Sequence, residues 1–236
     1  MNSLDYNHLS IAEASKIQEE LKDKIKISPL NIEPTTIAGA DVSFNKYSTE
    51  VFAGIVILSY PELKPLARSL VKVQVYFPYV PGYLAFREVP ALLEAWNLLP
   101  FKPDVLIVDG HGIAHPRGMG IAAHFGALTD QVTMGCAKKI LYGLVSEPER
   151  EIGSATPIYH KKKEEIIGWT FRSKTNVKPL FVSPGHGMSI DDSLKLSIKC
   201  TGKYRMPEPT RWAHHIVNLF RTGQLPSGYS LFDQDY

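Results

Sequence analysis

The 236-residue chain has few cysteines, little net charge and no long apolar run. Its two cysteines, Cys136 and Cys200, form no CxxC pair, which excludes a disulfide framework and predicts a reducing compartment. No apolar run approaches the roughly 20 residues that a membrane-spanning helix needs. The N-terminal residues lack the basic and apolar blocks of a signal peptide. These absences predict a cytoplasmic protein that has no membrane partner.

The small net charge of +2 hides an uneven distribution along the chain. Residues 138–211 carry fourteen Lys and Arg against eight Asp and Glu, whereas residues 1–137 carry eleven against fourteen. This pattern suits an acidic metal site that faces a phosphate-bearing substrate, although a solvated basic face would have the same composition. The length is sufficient for one full core, and we expect a single domain over residues 1–236.

Apolar spacing predicts an α/β fold in the first half of the chain. Residues 10–26 have helical spacing, and period-two strands then follow, which turn residues connect into an antiparallel meander. Pro90 fits the first turn of a helix that begins near Val89. A buried strand and a long helix come next. The predicted strands and the long helix span Thr36–Phe44, Val51–Tyr60, Arg68–Phe77, Val105–Asp109 and Ile121–Tyr142.

The second half of the chain has weaker signals. Two strands, Ile166–Arg172 and Pro179–Val182, are predicted with a polar hairpin between them. Helices are predicted over Ser189–Cys200 and Thr210–Thr222. The last residues, Gly228–Tyr236, are predicted to be a tail.

The segment that follows Val105–Val108 is the richest in candidate chemistry. Four aliphatic residues stop at Asp109, which indicates a strand that is buried on both faces. Ligands of open α/β sheets bind at the carboxyl ends of such strands. Gly110 and Gly112 allow close approach, and His111 and His115 lie in the same loop.

Two further carboxylates are expected near Asp109. Asp41 lies within the first strand on a face of small residues, where a lone buried carboxylate is costly. Glu88 lies at the mouth of a helix. A fourth strand that pairs beside the first would bring Asp41 and Asp109 together, and the intervening helix can deliver Glu88. Three carboxylates suit Mg²⁺ or Mn²⁺ and phosphoryl chemistry. Taken singly, each acid could instead satisfy strand-edge donors, cap a helix or form a turn.

Four segments of the chain resemble the endonuclease V family, the nucleases for deaminated purines, and the topology resembles the ribonuclease H-like fold. The resemblance covers residues 36 to 215 approximately, and the second and third segments are its most specific part. The segments are Gly39–Phe44 around Asp41, Pro78–Glu88, Val108–Arg117, and Ser183–His186 followed by Pro207–His214. The implied fold is a mixed sheet of three antiparallel strands, a helix, a parallel strand and a helix, flanked by helices.

The resemblance implies catalytic roles for five residues. Asp41, Glu88 and Asp109 correspond to the metal carboxylates. His214 matches a position near the metal that assists it or the attacking water. Lys138, expected in the helix after the glycine-rich loop, matches a cation near the scissile phosphate, although Lys139 is adjacent and both could face solvent.

The resemblance also implies a substrate site. Tyr79 resembles the family's wedge, a ring within a rigid strip that inserts where a flipped base was stacked; a surface-packed tyrosine is the alternative. Main-chain groups of the family read the base, so that the glycines between residues 110 and 120 would leave room for it. His115 could contact the substrate or be a satisfied loop histidine. The implied substrate-binding residues are Pro78, Tyr79, Val80, Pro81, Gly82, Leu84, Gly112, His115, Gly120, Ile121 and Leu141.

The implied reaction is hydrolysis of the second phosphodiester bond 3′ of inosine in DNA or RNA, by a monomer, leaving a 3′-hydroxyl and a 5′-phosphate. Two rival functions remain. His111, His115 and His186 could hold Zn²⁺ or Fe²⁺, or the protein could bind inosine-containing nucleic acid without cutting it. His186 is otherwise expected to order its loop, and the basic run in residues 159–165 either contacts phosphates or is a solvated loop.

Overall fold

The computed structural model describes residues 5–45 and 48–232. In these ranges the chain forms nine strands and five helices. The strands are β1 Thr36–Phe44, β2 Glu50–Ser59, β3 Pro65–Gln74, β4 Val105–Val108, β5 Thr133–Ala137, β6 Ala155–Tyr159, β7 Ile166–Phe171, β8 Leu180–His186 and β9 Gly228–Leu231. The helices are α1 Ile11–Lys22, α2 Leu84–Asn97, α3 Ile121–Thr129, α4 Ile190–Lys199 and α5 Glu208–Arg221.

All nine strands belong to one mixed sheet in the order β6-β7-β8-β5-β4-β1-β2-β3-β9. Strands β1, β2 and β3 form the antiparallel meander that the sequence predicts. Strand β4 pairs in parallel with β1, and β5 pairs in parallel with β4. The order of three antiparallel strands, a helix and a parallel strand is therefore confirmed. No helix in the described ranges is long and apolar enough to cross a membrane.

Helices cover both faces of the sheet because its central strands are apolar on both sides. Ala38 and Ala40 of β1 pack in a cluster with Phe86 of α2 and Phe125 of α3. The alternate residue Ile37 faces the other cluster, in which Val217 of α5 takes part. The faces of the central strands are thus largely apolar, and the buried carboxylate of Asp41 within β1 is an exception.

Helix α2 begins at Leu84, so the prediction of a start near Val89 was wrong, and Pro90 lies inside the helix. The preceding turn, with Gly82 at φ +80°, lets the chain enter the helix earlier. Phe86 and Val89 are then fully buried. Burial of two such side chains, worth about 1.5–3 kcal/mol each, offsets the roughly 3 kcal/mol cost of an interior proline.

The prediction of one long helix over Ile121–Tyr142 was also wrong. Helix α3 ends at Thr129, because Asp130 has a left-handed backbone conformation with φ of 54°. Residues 133–137 then form β5, a fully buried strand between β4 and β8. The periodicity of this short apolar run could not distinguish a strand from a helix. Its burial between β4 and β8 is what favours the strand. Lys138 consequently follows a strand and does not lie in a helix.

The remaining differences are at the sheet edges. Residues 228–231 form β9, which pairs with β3, so the predicted tail is wrong for this part; residues 233–236 lie outside the described ranges. Strand β6 was not anticipated and pairs with β7. The predicted β7, β8, α4 and α5 are confirmed within a few residues, although β8 extends to His186.

Candidate active site

Asp41, in the middle of β1, lies beside Asp109, which directly follows the last residue of β4. The parallel register pairs Ala40 with Val108, and each carboxylate is on the next residue. The Asp109 amide donates to the Ala40 carbonyl at 2.9 Å, which extends the pairing to this point. Asp41 is buried. The parallel pairing of β4 beside β1 thus brings these two predicted carboxylates together, as the order of elements predicted.

His214 reaches Asp41 from helix α5, which lies against β1. The approach is close because Gly39 has no side chain: a Cβ there would lie 1.8 Å from the Pro209 carbonyl oxygen. His214 Nδ1 is hydrogen-bonded to Asp41 Oδ2 at 2.8 Å. One turn further along, Asn218 Nδ2 donates to the His214 carbonyl at 2.8 Å and lies 3.3 Å from His214 Nε2. The imidazole is therefore held on both sides.

Lys138 contacts the second carboxylate from the loop that follows β5. Its Nζ donates to Asp109 Oδ2 at 2.5 Å. The backbone of this loop is fixed by Arg205, whose Nη2 donates to the Lys138 carbonyl at 3.2 Å and to the Pro179 carbonyl at 2.9 Å. Sequence reasoning had assigned no role to Arg205. Its contacts hold the start of the Lys138 loop against the end of the β7–β8 connection.

Glu88 is buried like Asp41, whereas Asp109 is half-buried, and Glu88 comes from α2 on the face of the sheet opposite to α5. Burial raises the pKa of Glu88 well above its usual value, and the charges of Asp41 and Asp109 raise it further. The pKa of Asp109 is raised by burial and by Asp41, and Lys138 opposes this shift. The pKa of His214 is raised by its hydrogen bond to Asp41. The charges of Asp41 and Asp109 therefore act on Glu88, although Glu88 is not in the group of close ligand atoms that Asp41, Asp109 and His214 form.

This donor set fits a hard divalent cation. Ligand atoms of Asp41, Asp109 and His214 all lie within 4.8 Å of one another. Carboxylate oxygens are the ligands that Mg²⁺ and Mn²⁺ prefer, and a divalent ion would offset the burial and the charge repulsion that raise the pKa of Glu88. The acidic cluster is thus a candidate metal site.

The candidate wedge projects from the surface between β3 and α2. Tyr79 is 64% exposed, and the flanking Pro78 and Pro81 are also exposed. A turn follows Tyr79 in the chain, and in it the Tyr83 amide donates to the Val80 carbonyl at 2.9 Å. The two prolines make this strip rigid. Because the Tyr79 ring is exposed, its insertion into a bound partner would break few contacts within the protein.

A clamp that sequence reasoning missed holds this loop in place. The guanidinium of Arg117 donates to the Gly82 carbonyl and to Gln18 Oε1, each at 2.5 Å, and lies 4.0 Å above the Tyr83 ring. Gln18 is 1% exposed, and its Nε2 also donates to the Gly82 carbonyl at 3.2 Å. Three segments thus meet at one carbonyl: helix α1, residues 75–83 that carry Tyr79 (the wedge loop), and residues 109–120 (the glycine-rich loop). Gln18 and Arg117 are 99 positions apart, and neither has a sequence signal for this contact.

The glycine-rich loop is tightly packed rather than open. The Gly112 amide donates to Ser183 Oγ at 3.0 Å, and the Gly120 amide donates to the Gly112 carbonyl at 3.0 Å. A Cβ on Gly112 would lie 2.0 Å from the Pro184 carbonyl oxygen. These two glycines are therefore required for backbone packing, whatever they do for a ligand. The other predicted base-contacting residues differ in burial: Ile121 is buried, Leu84 is half-buried and Leu141 is exposed.

Comparison with known proteins identifies the family. The family model described as Endonuclease V matches residues 19–215. The chain belongs to the endonuclease V family. It is 46% identical over 202 residues to endonuclease V of Dictyoglomus turgidum, across 86% of this chain and 87% of that protein. This endonuclease V is accordingly a nuclease, a phosphodiester hydrolase.

Solved structures of the family share the fold. Endonuclease V of Streptomyces avermitilis superposes with a TM-score of 0.86 at 35% identity, over 92% of this chain and 95% of that one. Endonuclease V of Ciona intestinalis, solved in complex with DNA that contains an inosine followed by a ribo-adenosine, has a TM-score of 0.80 at 31% identity. That match covers 90% of this chain and 98% of the other. The ribonuclease H-like prediction agrees with these matches.

The histidines of the rival zinc site do not form a cluster in this endonuclease V. His111 Nε2 is hydrogen-bonded to the Lys139 carbonyl at 3.0 Å, and His115 Nδ1 accepts from the Arg117 and Met119 amides. His186 pairs with Thr133 at the start of β5, which is the other end of the sheet. Burial lowers the pKa of His111 and His115 to about 4 each. Within the described ranges, the group of potential metal ligands is Asp41, Asp109 and His214.

Proposed function

We propose that this endonuclease V cuts nucleic acid strands that contain inosine, at the second phosphodiester bond 3′ of the inosine. The products are a 3′-hydroxyl and a 5′-phosphate, and the substrate is DNA, RNA or both. The observation that carries the proposal is the convergence of Asp41, Asp109, Lys138 and His214 at one sheet edge, in a family with a member solved on inosine-containing DNA. The single domain, the monomer and the cytoplasmic location stay predictions.

The three carboxylates define the hydrolytic centre of this proposal. Asp41, Glu88 and Asp109 would hold Mg²⁺, or Mn²⁺ in its place, and the ion would supply an activated water and charge stabilisation at the phosphate. Glu88 comes from α2 and His214 from α5, the helices on opposite faces of the sheet.

The two basic side chains have separate parts in the proposed reaction. Lys138 places a cation at the rim of the carboxylate cluster, where it would stabilise negative charge that develops on the phosphate oxygens. His214 is half-exposed and oriented by Asp41, which favours its protonated form. A protonated imidazole there would donate a proton to the leaving 3′ oxygen or orient the attacking water.

The proposed recognition step takes the inosine base out of its stack. Tyr79, on the strip from Pro78 to Pro81, would occupy the space that the base leaves. The extruded hypoxanthine would then lie between the wedge loop and the glycine-rich loop, near Leu84, His115 and Ile121. Arg117 joins these two loops at the Gly82 carbonyl, which would keep the pocket walls at a fixed separation.

A cleavage assay tests the proposal. Matched DNA and RNA strands with a single inosine are incubated with Mg²⁺ and the wild type, Asp109→Ala, or Asp191→Ala as an exposed control on α4. We expect a cut at the second bond 3′ of inosine by the wild type and the control, and none by Asp109→Ala. Tight binding of the inosine strand without a cut, in Mg²⁺ or Mn²⁺, would overturn the nuclease proposal in favour of a non-catalytic reader.

A further inference from the structure

An unusual concentration of exposed apolar side chains lies directly after Lys138. Ile140, Leu141, Leu144 and Val145 are 39–57% exposed within six positions. Isolated exposed apolar residues are ordinary, whereas a contiguous set indicates a binding surface. The β6–β7 connection beside it adds Tyr159, 45% exposed, and three consecutive exposed lysines, Lys161–Lys163. We call residues 139–145 together with residues 159–163 the lysine–aromatic strip.

The two halves of the strip are joined by backbone pairing. The Leu144 amide donates to the Tyr159 carbonyl at 2.8 Å, and the Tyr159 amide donates to the Leu144 carbonyl at 2.9 Å. Gly143, at φ +117°, lets the loop approach so closely that a Cβ there would lie 2.4 Å from Ile158 Cγ2. The loop of residues 139–145 is thus packed against the edge strand β6. These backbone contacts fix the positions of its exposed side chains.

Aromatic and basic side chains are in contact on this surface. The rings of Tyr142 and His160 make an edge contact at 5.2 Å, and Tyr142 Oη lies 3.3 Å from His160 Nε2. Lys161 Nζ lies 5.4 Å from the centre of the Tyr142 ring. Lys163 is within 3.7 Å of Glu165, whereas Lys161 and Lys162 have no ion-pair partner among the described residues. Leu144, Tyr159 and the 160–164 turn line a shallow cavity of about 560 Å³.

The strip is continuous with the candidate catalytic centre. Lys138, which contacts Asp109, is the residue before the strip begins, and the Lys139 carbonyl is bonded to His111 of the glycine-rich loop. From Lys138 to Leu144 the chain spans six residues, at most roughly 20 Å. Any strand whose phosphate lies at Lys138 is therefore within a few nucleotides of Tyr142 and Lys161.

We propose that the lysine–aromatic strip binds the single-stranded flank of the substrate beyond the scissile bond. This inference rests on the proposed nuclease function and extends it to a second contact surface. Unpaired bases pack on apolar and aromatic side chains while lysines contact the phosphates, which is the composition that sequence-tolerant single-strand sites share. A duplex hides its base faces, so the strip favours substrates that are unpaired on this side of the inosine.

Binding measurements in an uncleaving background test the strip separately from catalysis. Asp109→Asn protein is titrated, by fluorescence anisotropy, into labelled strands that carry one inosine and either long or short unpaired flanks. The strip variant carries Lys161→Gln, Lys162→Gln and Lys163→Gln in addition to Asp109→Asn. For the long flanks we expect weaker binding by roughly tenfold or more, and a salt-dependence slope that is smaller by about 2 for three lost phosphate contacts. For flanks too short to reach the strip we expect no change.

Matched controls separate this effect from a general loss of charge or of folding. Replacement of Lys64, Lys195 and Lys199 by Gln removes the same charge from the β2–β3 turn and from α4. Tyr142→Ala is expected to weaken long-flank binding roughly tenfold, and Tyr142→Phe to restore it, because stacking needs only the ring. Equal affinities and salt slopes for the strip variant and the lysine control would overturn the inference. A wild type that fails to cut inosine strands, with strip-dependent binding intact, would overturn the nuclease function alone.

Discussion

The guanidinium of Arg117 donates to the side-chain oxygen of Gln18 at 2.5 Å and thereby joins the glycine-rich loop to the N-terminal helix. The same guanidinium also bonds to the Gly82 carbonyl behind the wedge. Gln18 is 1% exposed, whereas Gly82 and Arg117 are half-buried. The position of Tyr79 relative to the glycine-rich loop therefore depends on one half-buried cationic group.

Arg117→Ala is expected to lower both stability and cleavage. The loss of a charged donor from a buried acceptor costs about 1.5–3 kcal/mol of unfolding free energy, which chemical denaturation measures. A displaced wedge loop should lower kcat/KM on inosine strands by roughly tenfold to a hundredfold. Arg150→Ala, at an exposed position, is the control. Unchanged kcat/KM in Arg117→Ala would show that the clamp does not position the wedge.

Mg²⁺ should stabilise the wild type, and Asp109→Asn should abolish that effect. At a concentration one hundred times the Kd, a bound ion adds about 2.7 kcal/mol to the unfolding free energy. Without metal, Asp109→Asn should be more stable than the wild type, because the pKa of Glu88, raised by burial and by Asp41, is raised further by the charge of Asp109. Thermal melts with and without Mg²⁺ measure both effects. A metal-free variant that melts below the wild type would contradict this electrostatic account.

Gly39→Ala is expected to separate His214 from Asp41. The added Cβ would overlap the Pro209 carbonyl, so α5 has to move away from β1, at a cost of about 1–3 kcal/mol or more. His214→Ala is the matched comparison, since it removes the half-exposed imidazole without displacing the helix. We expect Gly39→Ala to lower both the melting temperature and kcat, and His214→Ala to lower kcat alone. Normal kcat in both variants would exclude His214 from the reaction.

Acid should destabilise the protein through its buried histidines. Burial lowers the pKa of His124 to about 3, although Tyr6 Oη is hydrogen-bonded to its Nε2 at 2.8 Å. A histidine with a lowered pKa contributes stability above the unfolded value of about 6.5, and loses about 1.4 kcal/mol per pH unit below it. His124→Gln should therefore make the loss of stability between pH 6 and pH 4 shallower in denaturant titrations. The exposed His215→Gln variant should keep the wild-type slope.

The parts of the fold that the sequence predicted are those with a local signal. The period-two pattern around Asp41 and the aliphatic run before Asp109 identified β1 and β4, and their adjacency followed from the order of elements. Strand β5 has no local signal, since its five residues continue the apolar pattern of α3. The start of α2 was misplaced because Pro90 is tolerated only through the burial of Phe86, which is a tertiary effect.

The residues of the candidate site likewise include some with a local sequence signal and some without one. Three acids could be proposed from their own strands and helix, and the family resemblance added Lys138 and His214. Arg117 and Gln18 could not be found, because each is an ordinary polar residue until the fold places them together. Arg205 is similar: its role depends on the carbonyls of residues 138 and 179, which belong to two different loops.

The acids and the cations of the centre come from different parts of the chain. Asp41, Glu88 and Asp109 all precede residue 110, whereas Lys138 and His214 follow it, and His214 arrives only with α5. During synthesis, the ribosome therefore releases three mutually repelling carboxylates before either compensating cation. A translation product that ends before α5 would contain the three acids but not the His214 imidazole. It would therefore have the negative charges of the centre without its full set of reactive groups.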